Sequence, residues 1–199
     1  MSISIVMPLY LLDAALEQMT LESIASLKGH YDELILVDDG SPYHSTRLQE
    51  QADCYIRFTT NHGTVRAVNT GIDAARSTHI VYANNDTLLL EGQLTTLCRT
   101  GYVFPKLETQ EWMIPHEHWT AAFACFPKGL GKEREEYFMY FADLDLYLRA
   151  QHDHIPLEYE PSVVVRHLHS VTVNKTGKKM ERYAKDRAVF VDLWGYDPD

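Results

Sequence analysis

His79-Ile80-Val81-Tyr82-Ala83-Asn84-Asn85-Asp86 is the stretch on which the fold assignment turns. Its first five residues are an apolar run of strand length, and three polar residues end it, as at the end of a buried strand. In α/β sheets, ligands bind at the carboxyl ends of the strands, and an oxygen donor placed there suits Mg²⁺ or Mn²⁺. Asp86 is therefore a candidate metal ligand for a phosphate-bearing substrate. Asn-Asn-Asp-Thr also suits a polar strand-to-helix turn whose side chains cap the backbone.

The residues upstream alternate between strand and helix patterns. Ser2 to Met7 alternates polar and apolar residues and stops at Pro8, a first strand. Leu12, Ala15, Leu16, Met19, Ile24 and Leu27 recur at near-helical spacing up to Gly29. Glu33 to Val37 is nearly continuous in apolar content, as a strand covered on both faces requires, and runs into the turn Asp38-Asp39-Gly40-Ser41-Pro42. A short helix over Tyr43 to Ala52, a strand over Cys54 to Phe58 and a helix over Val65 to Ala75 lead to the fourth strand, His79 to Ala83. Such alternation implies parallel pairing through right-handed crossovers, a Rossmann-like α/β sheet flanked by helices.

Beyond Asp86 the pattern loosens. Leu94 and Leu97 suggest a helix, Tyr102 to Pro105 and Ala121 to Phe126 strands, and Lys106 to His118 reads as irregular. This half is expected to be mixed or antiparallel sheet. Asp143 to Ala150 reads as a helix and Val163 to Val165 as a strand ending in Arg166-His167-Leu168-His169. Lys175 to Arg187 holds six basic residues against two acidic ones, a local balance of +4, before an apolar helix end at Val189 to Trp194.

The 199 residues, 45% hydrophobic and 11% aromatic, suffice for one sizeable core, so a single domain over 1–199 is expected. No apolar run approaches a membrane span and no signal peptide is visible, which points to a cytoplasmic protein without a stable membrane span. Cys54, Cys98 and Cys125 are odd in number and widely spaced, supporting neither a disulfide framework nor a zinc site. A net charge of −10 opposes non-specific attraction to nucleic acid.

Four polar clusters fall at strand ends or a helix start: Asp38-Asp39, Asn84-Asn85-Asp86, Asp143-x-Asp145 and His167-x-His169. Each has a local structural explanation when taken singly: an Asx turn at Asp39, a helix cap at Asp143, a core histidine at His167. Their combination carries the case. Residues i and i+2 of a helix face different ways, so Asp143 and Asp145 cannot both address one reacting group.

Ile35-Leu36-Val37-Asp38-Asp39-Gly40-Ser41, Asn61-His62-Gly63 leading to Asn69-Thr70-Gly71-Ile72, Asn84-Asn85-Asp86-Thr87, Tyr137 to Leu146 with Arg149, and Val165-Arg166-His167 resemble, in order and spacing, family 2 glycosyltransferases of the GT-A fold. The Asn-Asn-Asp form is similar to that of rhamnosyltransferase-like members. The resemblance spans Ser4 to Trp194. It implies inverting transfer of a sugar from a nucleotide-diphosphate donor, UDP- or dTDP-linked, to a hydroxyl acceptor, with Mn²⁺ or Mg²⁺.

Carried over by motif position, Asp86 would bind the metal, with His167 as a further ligand or diphosphate contact, and Asp143 would be the base that takes the acceptor proton. Pro8 and Tyr10 would lie beside the nucleotide base, and Asp38 or Asp39 would accept hydrogen bonds from the pyrimidine or ribose. Gly63 and Arg66 begin a segment near the nucleotide, where Arg66 either reaches a phosphate or stays in solvent, and Asn84 and Asn85 complete the nucleotide side. The implied division is a nucleotide-binding half over 1–86, an acceptor half over 87–174 and a basic, helical extension over 175–199. That extension folds over the diphosphate, touches an anionic partner, or is a plain solvated face.

The sequence departs from the family pattern in three places. Asn84 replaces the first acidic residue of Asp-x-Asp, Ala142 stands where Glu often precedes the catalytic Asp, and the stretch from Asp86 to Asp143 is short. Trp112 and Trp119, in the irregular segment, suit sugar stacking or loop anchoring. The acceptor, whether glycan, lipid-linked glycan, protein or modified nucleic acid, and the oligomeric state are left open. Rival readings are a nucleotidyltransferase, which would normally show a Gly-rich basic loop that Pro8-Leu9-Tyr10 does not offer, and a catalytically silent nucleotide-sugar binding module.

Overall fold

The computed structural model describes residues 1–108, 122–130, 132–168 and 179–198. The chain begins with β1 (Ile3–Leu9), α1 (Ala14–Leu27), β2 (Glu33–Asp38), α2 (Thr46–Gln51), β3 (Cys54–Arg57), α3 (Thr64–Ala74) and β4 (His79–Ala83). It continues with β5 (Thr87–Glu91), a 3-10 turn (Leu94–Leu97), β6 (Tyr102–Leu107), β7 (Phe123–Pro127), α4 (Ala142–His152), β8 (Leu157–His167) and α5 (Lys179–Trp194).

Eight strands form one sheet in the order β3-β2-β1-β4-β7-β6-β8-β5. Pairs β1–β2, β2–β3, β1–β4 and β6–β8 are parallel, whereas β4–β7, β6–β7 and β5–β8 are antiparallel. The single-domain, mixed and mostly parallel sheet flanked by helices is the one expected. Successive crossovers step outward from β1 to β3 and then return to the other side of β1 at β4. The carboxyl ends of β1 and β4 thus flank a topological switch point, where open α/β sheets leave a crevice.

Both faces of the sheet are covered. Ile3, Ile5 and Met7 of β1 pack with Leu16, Ile24 and Leu27 of α1, while Val6 packs with Val68 and Ile72 of α3. A Cβ at Gly71 would overlap Val6 Cγ1, so the absence of a side chain lets α3 lie close on the strands. Ser2 to Met7 alternates polar and apolar residues, yet every residue of β1 is buried. Ser4 tolerates that position because its hydroxyl donates to Glu33 Oε2 at 2.5 Å. Asp13 caps α1 by accepting from the Leu16 amide at 3.0 Å, and Ser45 caps α2 through the Leu48 amide at 3.1 Å.

Two sequence readings differ from the structure. Asn-Asn-Asp-Thr leads into the strand β5 and not into a helix, because Thr87 to Glu91 pairs antiparallel with β8. β8 itself is 11 residues long, far more than Val163 to Val165, with its register against β6 shifting between Pro105↔Glu160 and Lys106↔Val164. Pro161, which has no amide to donate, sits in that irregularity. Among the described residues, no helix is long and apolar enough to cross a membrane.

Candidate active site

A cleft of about 290 Å³ opens at the carboxyl ends of β1, β2 and β4, and the start of α4 closes it. Pro8 and Tyr10, Asp39, Asn84, Asn85, Asp86, Asp143 and His167 all line it. Residues drawn from five separate segments of the sequence therefore converge.

The turn after β4 is held by its own side chains. Thr87 donates from its backbone amide and its hydroxyl to the Asn84 carbonyl, at 3.2 and 2.7 Å. Tyr82 donates its phenol to Asn84 Oδ1 at 2.6 Å, and Asn85 Nδ2 donates to Thr20 Oγ1 of α1 at 2.9 Å. The phenol of Tyr82 is pushed well above its ordinary pKa, first by burial and then by the negative charges of Glu133, Asp143 and Asp86, so it remains a donor.

Pairing of β5 with β8 sets Thr87 opposite His167, and the Leu168 amide donates to the Asp86 carbonyl at 2.9 Å. Nε2 of His167 consequently lies 3.1 Å from Oδ1 of Asp86. Among the described residues no three His, Cys, Asp or Glu side chains converge as a metal cage, so this site offers a pair of donors.

The two aspartates that end β2 differ. Asp38 is fully buried and engaged, accepting from the Ser41 amide at 2.7 Å and the Tyr55 phenol at 2.7 Å beside Arg57 at 3.1 Å. It shapes the turn and does not line the cleft. Asp39 does line it, with Oδ1 and Oδ2 accepting from the His62 and Gly63 amides at 2.6 and 2.8 Å. Burial nevertheless raises its pKa, outweighing those hydrogen bonds and the cationic influence of His62 and Arg182. Gly63, at φ +98°, starts α3 beside this carboxylate, while Arg66 is exposed on α3 away from the cleft lining.

The pair on α4 divides in the same way. Asp143, in the first turn, faces the cleft. Asp145 is fully buried and binds Arg149 Nε at 2.7 Å, Arg134 at 3.3 Å and Trp194 Nε1 at 2.9 Å. Glu133 stands near both. Its main chain is clamped by Asn69, whose Nδ2 donates to the Glu133 carbonyl at 2.8 Å and whose Oδ1 accepts its amide at 3.1 Å. Desolvation, reinforced by the charges of Asp143 and Asp145 and opposed by Arg149, pushes the Glu133 carboxyl up to about 8. Two like charges this close resist being ionised together, and Glu133 keeps its proton at neutral pH.

Sequence reasoning missed Glu133, Arg182, Asp186 and Trp194. Asn69 signals the first through the Asn-x-Gly motif it opens, but nothing local marks an acidic residue within the basic run as part of a site. His169, Trp112, Trp119, Lys175 and Lys178 lie outside the described residues.

Solved structures resemble this fold. S. aureus TarS 1-349 in complex with UDP superposes with a TM-score of 0.63 at 13% identity, covering 83% of this chain and 60% of that one. S. aureus TarS 1-349 gives 0.56 at 14% identity, over 73% and 54%. S. aureus TarS gives 0.63 at 13%, over 84% and 36%. The chain thus spans less than two thirds of each of these chains, and at such identity the likeness establishes the GT-A fold alone. No curated protein sequence matches the chain. The sequence profile of glycosyl transferase family 2 matches residues 4–144, from β1 into the first turn of α4. Fold and motif order agree with that match over most of the chain, and the protein belongs to glycosyl transferase family 2.

Proposed function

We propose that this protein transfers a sugar, with inversion, from a UDP- or dTDP-linked donor to a hydroxyl acceptor, using Mn²⁺ or Mg²⁺. The observation that carries the reading is the convergence of Asp86, His167 and Asp143 on the cleft that Pro8, Tyr10 and Asp39 also line. The complex of S. aureus TarS with UDP supports a uridine diphosphate leaving group. On this reading residues 1–86 are the nucleotide-binding half, 87–174 the acceptor half and 175–199 a basic, helical extension.

Asp86 and His167 would offer a divalent ion one carboxylate and one imidazole; the carboxylate suits Mg²⁺ or Mn²⁺, and the imidazole suits Mn²⁺. When bound, the ion neutralises charge growing on the departing diphosphate. Asp86 and His167 hold and orient that end of the donor. Pro8 and Tyr10 pack against the nucleotide base, and Asp39 accepts a hydrogen bond from it or from the ribose. Both Asp39 oxygens already receive one backbone amide each, but a carboxylate has further acceptor sites.

Inversion requires the acceptor hydroxyl to attack from the face opposite the leaving group, and Asp143 takes the hydroxyl proton as the new bond forms. Asp145 is unsuited to that role, because its oxygens are committed to two guanidinium groups and an indole. Glu133, holding its proton, spares the site a second negative charge next to Asp143.

The test is a panel of UDP- and dTDP-sugars with Mn²⁺ or Mg²⁺. Thermal shift reads binding, and release of the nucleoside diphosphate with and without added sugar acceptors reads turnover. A metal-dependent rise in Tm with nucleotide release is the expected result. Binding without release under any condition identifies a silent binding module, and no binding removes the assignment.

A further inference from the structure

The family-matched segment ends at residue 144, yet the wall of the cleft just before it is held from outside that segment. Asp186, on α5 and only 3% exposed, accepts from three consecutive backbone amides: Phe138 at 2.9 Å on Oδ1, and Met139 at 2.9 Å and Tyr140 at 2.8 Å on Oδ2. Met139 and Tyr140 line the cleft, and so does the next residue, Phe141.

Phe141 is the N-cap of α4 in the left-handed region, φ 62°, with no side-chain cap to stabilise it. A bulky residue keeps such a backbone only where its surroundings enforce it. α5 supplies those surroundings. The Phe141 ring packs on Tyr183 and Phe190, at centroid distances of 4.9 and 5.7 Å, and Arg182 covers the Phe138 ring at 4.4 Å. At the other side of Asp143, Trp194 donates to Asp145 at 2.9 Å. The same helix thus holds the backbone before Asp143 and the side chain of Asp145 after it.

We propose that Asp186 is a positioning residue of the active site: by gathering the amides of Phe138, Met139 and Tyr140 it fixes the strained entry to α4 and hence the aim of Asp143 into the cleft. This rests on the reading of Asp143 as the base. It also gives the extension a role distinct from contact with an anionic ligand, since its buried acid, and not its basic residues, does the holding.

The experiment compares the native chain with Asp186→Asn, Asp186→Ala and, as a control on an exposed site of the same helix, Asp192→Asn. Amide hydrogen exchange is read at Phe138, Met139 and Tyr140 and, as an internal check of folding, at Val6, Ile35 and Val81 of the sheet. Both Asp186 variants are expected to speed exchange at the three wall amides by about tenfold or more while the sheet amides stay protected. Turnover of the best donor should fall by about 10- to 100-fold, with affinity for UDP and Mn²⁺ changed by less than about threefold, and Asp192→Asn should match the native chain.

Turnover within about twofold of native in Asp186→Asn overturns the proposal, as does unchanged exchange at the wall amides or equal loss of protection throughout the sheet. If the native chain turns over no sugar nucleotide, the functional reading falls on that result, and the exchange comparison alone decides whether Asp186 sets the wall.

Discussion

Nε2 of His167 lies 3.1 Å from Oδ1 of Asp86, although 81 positions separate them in the chain. The register that pairs Thr87 with His167 brings them together, with the hydrogen bond from the Leu168 amide to the Asp86 carbonyl. A strand missed by pattern reading therefore builds the most specific contact of the site. Its consequence is that substitutions in β5 or β8 that shift this register should abolish donor binding without touching any ligand.

Asp143 and Asp145 should separate cleanly on mutation. Asp143→Asn removes a proton acceptor from the cleft, and we expect transfer to fall by about 10²- to 10⁴-fold with donor affinity and Tm nearly unchanged. Asp145→Asn breaks a buried charge cluster. It should cost about 3 kcal/mol, near the lower end for such clusters because Arg134 and Arg149 keep partial access to water, and lower Tm by about 10 °C. Paired kinetics and calorimetric melting check both, and the opposite pattern would exchange the two roles.

Gly63→Ala tests the packing of the nucleotide side against the catalytic wall. The residue has φ +98°, and a Cβ there would overlap the Phe138 carbonyl and meet its ring at 2.8 Å. We expect a loss of about 2 kcal/mol or more from backbone strain and overlap together, with weaker UDP binding because the Gly63 amide no longer sits on Asp39. Chemical denaturation and calorimetry measure the two effects.

Glu133 makes stability depend on pH in a definite direction. Its carboxyl titrates near 4.5 when unfolded and at about 8 when folded, so between those values the folded state holds a proton that the unfolded state has released. Stability from this group is complete below about pH 4.5 and declines as pH rises toward 8. Glu133→Gln, which cannot ionise, should flatten that decline. Melting curves across the range check it, and an unchanged slope would mean that Glu133 titrates as an ordinary carboxylate.

The first half of the fold was legible because its strands carry continuous apolar runs and its helices near-regular spacing, as in Leu34-Ile35-Leu36-Val37 and Val65, Val68 and Ile72. Those signals reflect burial on both faces of the sheet, which the sequence records locally. β5 escaped because Leu88-Leu89-Leu90 is too short to distinguish a strand from a helix, and its partner is far away in the chain. Most β8 residues outside Val163 to Val165 are only partly buried or exposed, which hides their period.

Site residues followed the same division. Asp39, Asp86, Asp143 and His167 end strands or begin a helix within recognisable motifs, and all reach the cleft. Motif position alone put Asp143 ahead of Asp145 and left Asp38 and Asp39 open; the partners that set each pair apart, Tyr55, Arg57, Arg134 and Trp194, lie elsewhere in the sequence. Asp186 had no local mark at all, since its meaning lies in three amides 46 to 48 positions away.

The most direct measurement is calorimetric titration of UDP into the native chain and into Asp86→Ala, each with Mn²⁺ and with chelator. We predict binding to the native chain that weakens by about 10-fold or more on chelation, and metal-independent weak binding to the variant whether or not chelator is present. Equal affinity in all four titrations, or no binding to the native chain with Mn²⁺, would contradict a metal-assisted nucleotide site at Asp86.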